Sequence, residues 1–323
     1  MCKLLSIVRF VFALLLTSTG FNVYADDASD WQILQKAAVA AHALSYQGVF
    51  ICQSGSQTKS VEIKHLNDGQ KEFARNIMLD GAPREVLSQD GEMIIYNPKQ
   101  EKIIIEKRRG RNMFPAVLPT NIASIKENYT LHAGGIERVA GRQVQLLSLN
   151  PKDQYRNSHQ LWIDSEYGLI LKSVTLNKQN IAIDNIAFNQ LSLFDTLDLD
   201  WFQPNIHANK KYVMEDSPPI DVNASPHWQL KALPAGFRKI DQMALNVQGR
   251  TIPVTQLLFS DGLASVSVFI EPVIEHQKPR LGASMVGNTS VYSRVAGFLQ
   301  ITALGEVPEI TTKQIANAVI FVN

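Results

Sequence analysis

The chain has 323 residues, 45% hydrophobic and 19% charged, with 18 glycines, 14 prolines and 2 cysteines. That composition excludes a disordered, collagen-like or disulfide-stapled protein and allows about two domains, each burying its own core. With 31 basic against 30 acidic side chains, no global charge draws the chain to nucleic acid.

Residues 1–25 read as a secretory signal. Lys3 and Arg9 supply the positive start, Phe10 to Leu16 the apolar stretch, and Val23-Tyr24-Ala25 small residues at a cleavage position. The uninterrupted apolar run is 7 residues, whereas a spanning helix needs about 20. Cys2 precedes the apolar stretch, so it is not placed as a lipid-attachment cysteine. Removing 25 of 323 residues leaves 298, and losing Lys3 and Arg9 leaves 29 basic against 30 acidic residues, a net charge of −1. No later segment is long and apolar enough to span a membrane. The expectation is a soluble periplasmic protein with one remaining cysteine, Cys52, which has no partner for an internal disulfide and reads as a small buried side chain.

Ser29-Asp-Trp-Gln32 has the pattern of a capping box. Trp31, Leu34, Ala38, Ala41 and Leu44 follow at helical spacing, so one amphipathic helix should run to about Leu44. From Tyr46 to about Leu193 the pattern changes to some ten short strands, punctuated by turn residues such as Asn67-Asp68-Gly69, Asp80-Gly81, Asn97-Pro98, Gly134-Gly135 and Tyr167-Gly168. This is the spacing of an antiparallel meander. Met93 to Tyr96 and Ile103 to Ile105 are apolar at successive positions, which requires cover on both faces. Only the Trp31 helix, the Asn121–Glu127 segment and the Met113–Pro119 loop are available for that. A large curved sheet with so few helices is expected to leave a concave apolar cavity, lined by Trp31, Leu34, Ile95, Ile103, Ile105, Phe114 and Trp162.

Four prolines between Phe202 and Pro226 predict a semi-stiff linker, placed at 204–226, between a domain of residues 26–203 and one of 227–323. In the second domain, Thr255–Ser260, Asp261-Gly262 and Leu263–Ile270 predict a hairpin with a type I′ turn. Thr311-Thr-Lys-Gln314 repeats the capping-box pattern before a closing helix, so this domain reads as small and α+β.

Nucleotide-loop, nucleophile-elbow and zinc-helix motifs are all missing, and the 7 histidines carry no ligand spacing. No catalytic residue, metal ligand or cofactor site is indicated. Asp198-Leu-Asp200 reads as a solvated domain edge. Lys107-Arg108-Arg109-Gly110-Arg111 is the one charge cluster. It fits a solvated hairpin tip, or a head-group contact in which Arg108, Arg109 and Arg111 grip phosphate or an acidic peptide. Trp228, Phe237, Phe259 and Phe269 carry much of the second domain's aromatic content, and read as core or as a partner-binding surface.

Taken in order, Asp80–Val86, Val139–Arg142, Leu161–Asp164, Leu233–Phe237, Phe259–Leu263 with Ser267–Ile270, and Ile301–Pro308 resemble the RseB/MucB family of periplasmic regulators of the envelope-stress sigma factor. The resemblance implies a first domain like the LolA/LolB carriers, a half-open antiparallel β-barrel with helices in its concavity, followed by a smaller α+β domain. It implies binding to the periplasmic part of an RseA/MucA-like anti-sigma factor, protection of that factor from a site-1 protease, and relief by lipid or lipopolysaccharide acyl chains. It also implies homo-oligomers and no catalytic residues. The competing expectation from the apolar cavity is a periplasmic lipid or lipoprotein carrier. An enzyme would need an adduct at Cys52 or at a histidine cluster.

Overall fold

The computed structural model describes residues 27–89, 92–99, 102–109, 113–194, 199–203, 211–215, 228–245, 253–273 and 279–321. The expected export segment, Arg111, Asp198 and all of the expected linker except Lys211–Glu215 lie outside the described residues.

Helix α1, Asp27–Ala43, buries Trp31, Leu34, Ala37, Ala38 and Ala41 along one side. It begins two residues before Ser29, so the expected capping serine lies inside the first turn. Its alanines let the helix lie close on the sheet that follows. At its C-terminal end, Glu72 Oε1 lies 2.9 Å from His42 Nδ1 and 3.0 Å from His65 Nε2, and His65 stacks on Tyr46 with ring centroids 4.7 Å apart.

Strands β1 (Tyr46–Ser54), β2 (Gln57–Asn67), β3 (Glu72–Met78), β4 (Glu85–Gln89), β5 (Glu92–Lys99) and β6 (Lys102–Arg109) form a meander. After helix α2 (Ala123–Asn128), strands β7 (Tyr129–Val139), β8 (Arg142–Pro151), β9 (Ser158–Asp164), β10 (Ile170–Leu176) and β11 (Ala182–Leu193) form a second one. Antiparallel pairing of β11 with β1 joins them. Strand β12, Lys211–Glu215, adds to β6 in parallel, so part of the expected linker is a sheet edge. Among the described residues the order is β12-β6-β5-β4-β3-β2-β1-β11-β10-β9-β8-β7, a curved sheet of 12 strands whose two ends do not pair. The barrel is half-open.

Two expected turns are strand. Gly134-Gly135 lies within β7, where the register with β8 shifts between Ala133 and Ile136; the extra residue is absorbed as a bulge, not as a reversal. Asn97-Pro98 lies within β5, whose pairing with β6 continues to Lys99↔Lys102. On β5, Met93 and Ile95 are buried while Ile94 and Tyr96 are half-buried, so one face is covered fully and the other in part.

The concave face is packed. Trp31 and Leu34 of α1, Phe50, Val61 and Ile63 of β1–β2, Leu147, Trp162 and Ile170 of β8–β10, and Ile125 of α2 belong to one buried cluster. The loop before α2 drives Phe114 into it, with its ring 5.1 Å from those of both Phe50 and Phe188, and Leu118 and Ile122 follow. Of the side chains expected to line a cavity, Trp31, Leu34, Phe114 and Trp162 are part of this packed cluster. A loop rich in proline had looked like a cover; it is a plug, because its apolar side chains have nowhere drier to go.

The second domain has a separate core. Strands β13 (Trp228–Leu230), β14 (Arg238–Leu245), β15 (Val254–Ser260), β16 (Ser265–Pro272), β17 (Gly282–Val286), β18 (Thr289–Ala296) and β19 (Leu299–Gly305) precede helix α3 (Glu309–Ala318) and strand β20 (Val319–Phe321). Among the described residues they form a six-stranded sheet, β14-β15-β16-β19-β18-β17, and a β13–β20 ribbon. Leu257, Phe259, Val268 and Ile301 pack against Ile315 and Val319. Arg294 donates to the carbonyls of Ala316 and Val319, supplying partners that the end of α3 would otherwise lack.

Candidate functional site

The most elaborate polar site lies between the two domains. Arg156, in the loop between β8 and β9, is 1% exposed, and a guanidinium so buried must be paired. Its Nε donates to Asp261 Oδ2 at 2.6 Å, Nη1 donates to Asp153 Oδ2, and Nη2 donates to the carbonyl of Ala235. Its carbon also lies 5.2 Å from the ring centroid of Phe237 and 5.9 Å from that of Tyr129. Asp153 bends its loop by accepting the amide of Tyr155 at 2.9 Å.

Asp261 holds both sides. Its Oδ1 accepts the amides of Leu263 and Ala264 at 2.9 and 2.8 Å, shaping the β15–β16 loop. Its Oδ2 accepts from Arg156 and from the Tyr129 hydroxyl at 3.2 Å, both in the first domain. Burial pushes the Tyr129 hydroxyl well above its ordinary pKa, and the Asp261 charge adds to this, so it stays a donor. The turn is not the expected type I′. Of its two central residues only Gly262 has positive φ, 108°, and the carboxylate bridges a four-residue loop instead. A side chain on Gly262 would meet Ser124 Oγ at 2.9 Å, while Leu263 packs on the first domain's core. Gly236 is tighter still: its φ is 78°, and a Cβ there would lie 2.3 Å from Asn128 Nδ2 and 2.7 Å from Arg156 Nη2.

Around this centre, Asn157 Nδ2 donates to the carbonyl of Glu306 at 3.1 Å and Thr311 Oγ1 to that of Tyr155 at 2.7 Å. Helix α3 starts at Glu309, so Thr311 is not its cap; its hydroxyl reaches across to the other domain. A second contact comes from the β17–β18 turn, where Asn288 Nδ2 donates to the Ile183 carbonyl and, at 3.2 Å, to Ser54 Oγ. Beside the joint, a cavity of about 300 Å³ is lined by Trp31, Lys126, Tyr129, Thr130, Leu131 and Lys152. Among the described residues, no three His, Cys, Asp or Glu side chains are grouped as metal ligands.

Of the residues singled out from sequence, Phe237 packs against Arg156 at the joint and Trp31 lines the cavity beside it, while the others fall elsewhere. Trp31, Leu34, Phe114 and Trp162 share the first core, with Trp162 Nε1 donating to Glu137 at 2.8 Å. Ile95 is buried on β5 outside that cluster, and Ile103 and Ile105 are on β6 opposite Pro98 and Tyr96. Arg108 and Arg109 pair with Met93 and Glu92 at the end of β6 away from the β5–β6 turn, which corrects the hairpin-tip placement. Phe259 and Phe237 are 0% and 5% exposed, so burial removes them as a partner surface. Trp228 and Phe269 stay half-buried, Trp228 with Lys239 Nζ 5.4 Å from its ring. Burial pushes the Cys52 thiol up to about 11, with the Asp184 charge adding, so it is a poor nucleophile at neutral pH. Sequence reasoning missed Arg156, Asp153, Tyr129 and Asp261 as a group. The available signal was that Leu233–Phe237, Phe259–Leu263 and Ile301–Pro308 all stood out as motifs, and each places a second-domain loop at the joint.

Both halves of the chain match family models. Residues 29–206 match the MucB/RseB N-terminal domain and residues 222–320 the MucB/RseB C-terminal domain. The chain belongs to the MucB/RseB family. It is 30% identical over 300 residues to the sigma factor AlgU regulatory protein MucB of Pseudomonas aeruginosa, covering 90% of each chain. It is 26% identical over 304 residues to the sigma-E factor regulatory protein RseB of Haemophilus influenzae, covering 92% of this chain and 93% of that protein. The crystal structure of MucB in complex with MucA(peri) superposes with a TM-score of 0.72 at 26% identity, over 91% of this chain and 99% of that one.

Proposed function

We propose that this MucB/RseB family member is a periplasmic negative regulator of an envelope-stress sigma factor. It binds the periplasmic segment of a membrane-spanning anti-sigma factor and shields that segment from site-1 proteolysis. One observation carries this: both domains together, in one superposition, follow MucB as it stands in complex with MucA(peri). The periplasmic placement rests on the export signal read from residues 1–25, and no helix among the described residues is long and apolar enough to cross a membrane. The protein acts by holding a partner and not by making or breaking bonds. For a lipid or lipopolysaccharide signal, the cavity beside the joint, edged by the cationic Lys126 and Lys152 and the apolar Trp31 and Leu131, supports a contact with an anionic, partly apolar molecule.

The test mixes the mature chain with the anti-sigma periplasmic segment and the site-1 protease. Cleavage slows in proportion to the fraction bound, and unchanged cleavage at saturating protein refutes the proposal. The carrier alternative predicts instead that the first domain transfers lipid without the second.

A further inference from the structure

The two cores are separate, and among the described residues Leu263 is the second-domain hydrophobic side chain that packs on the first core. The relative placement of the domains is therefore set by polar contacts, and among the described residues the Arg156–Asp261 pair is the ion pair whose two side chains are both wholly buried, with the buried Tyr129 hydroxyl donating to the same carboxylate. Both residues sit on loops, so they can part without breaking a strand. A buried ion pair gains attraction but loses hydration of both charges, and separation into water returns that hydration. Such a joint fixes orientation strongly while favouring closure only modestly. Asp261 also shapes its own loop through Oδ1, independently of Arg156, so an opened loop keeps its form.

We infer that the Arg156–Asp261 pair is the lock that holds the two domains in the arrangement competent to bind the anti-sigma segment, and that opening it releases the segment. The binding half rests on the proposed function. The locked arrangement superposes, both domains at once, on MucB carrying MucA(peri) with a TM-score of 0.72, against 0.67 for MucB alone. A partner that spans both domains selects this arrangement from the open ones, and whatever parts the pair lowers affinity by the fraction of molecules opened. Arg156 and Asp261 are positioning residues in this scheme.

The experiment uses the mature chain in a Cys52→Ser background, with spin labels on Lys178→Cys in the first domain and Lys313→Cys in the second, both exposed. Asp261→Asn keeps the acceptor for the loop amides and removes the charge facing Arg156; Arg156→Gln removes the other. Either variant should broaden a narrow interdomain distance distribution and weaken binding of the anti-sigma segment at least tenfold, while each domain's melting stays within a few degrees. An unchanged distribution, or a broadened one with unchanged affinity, overturns the inference. Should the variants fold poorly, hydrogen exchange on the unaltered chain decides: loops 152–157 and 261–264 must both slow when the segment binds, and equal exchange with and without it also overturns the inference. If the unaltered chain binds no segment, the proposed function fails, and the distance distributions alone then report whether the pair sets the arrangement.

Discussion

Truncating Phe114 to alanine tests whether the first domain's concavity is a plugged core. The side chain is 5% exposed and wedged between the rings of Phe50 and Phe188, at 5.1 Å from each. A phenylalanine buries about 200 Å², worth about 5 kcal/mol at about 25 cal/mol per Å² as an upper bound. Measured Phe→Ala changes in packed cores cost about 3–5 kcal/mol, including the cavity left behind. The loop carrying Phe114 is anchored separately by Leu118 and Ile122, so it cannot simply follow the deletion inward. The expected loss is therefore about 3–4 kcal/mol in the first domain's unfolding free energy, measured by urea denaturation followed by tryptophan fluorescence, since Trp31 and Trp162 report this core. The vacated space, lined by apolar side chains, should also take up a small hydrophobic probe such as benzene with a measurable gain in melting temperature. A loss under about 1 kcal/mol would mean that Phe114 covers an open trough and does not fill it, and the plugged-core account would be wrong.

Three further outcomes are expected. In Glu72, burial works to raise the carboxyl pKa, but the hydrogen bonds from His42 and His65 win and hold it at about 2, while the same contact raises His42. The carboxylate's contribution is present above its ordinary pKa and lost as pH falls through about 2; that of His42 is present below its ordinary value and lost as pH rises through the raised one. Because Glu72 is a third exposed, Glu72→Gln should cost about 1–2 kcal/mol, most between about pH 5 and 6.5, with the two stability curves converging in strong acid. His159 behaves oppositely: burial, only partly offset by the Asp261 charge, lowers it to about 4. It folds neutral and the unfolded chain takes the proton first, so stability falls by about 3 kcal/mol as pH drops from 6.5 to 4, a slope that His159→Gln should remove in pH-dependent calorimetry. Gly236→Ala places a Cβ against Asn128 and Arg156 at a φ of 78°. It should cost the second domain about 1–2 kcal/mol in left-handed strain and open the joint, read as a larger radius of gyration in small-angle scattering; an unchanged radius would count against the tight approach of the two loops.

What the residues determined on their own is everything governed by near neighbours. Helical spacing of Trp31, Leu34, Ala38 and Ala41, turn residues at ten-residue intervals and the Val254–Pro272 hairpin were legible because period and turn chemistry act over a few positions. The same local logic misplaced Gly134-Gly135 and Asn97-Pro98, where pairing with a neighbouring strand overrode a turn preference, and moved both expected capping boxes inside their helices. The Phe114 plug and the Arg156 joint belonged to tertiary structure alone. Arg156 and Asp261 are 105 residues apart in the chain, and each looks like an ordinary surface charge until folding removes water from both. Only the approach of two separately formed cores decides which charges lose their solvent and must find each other.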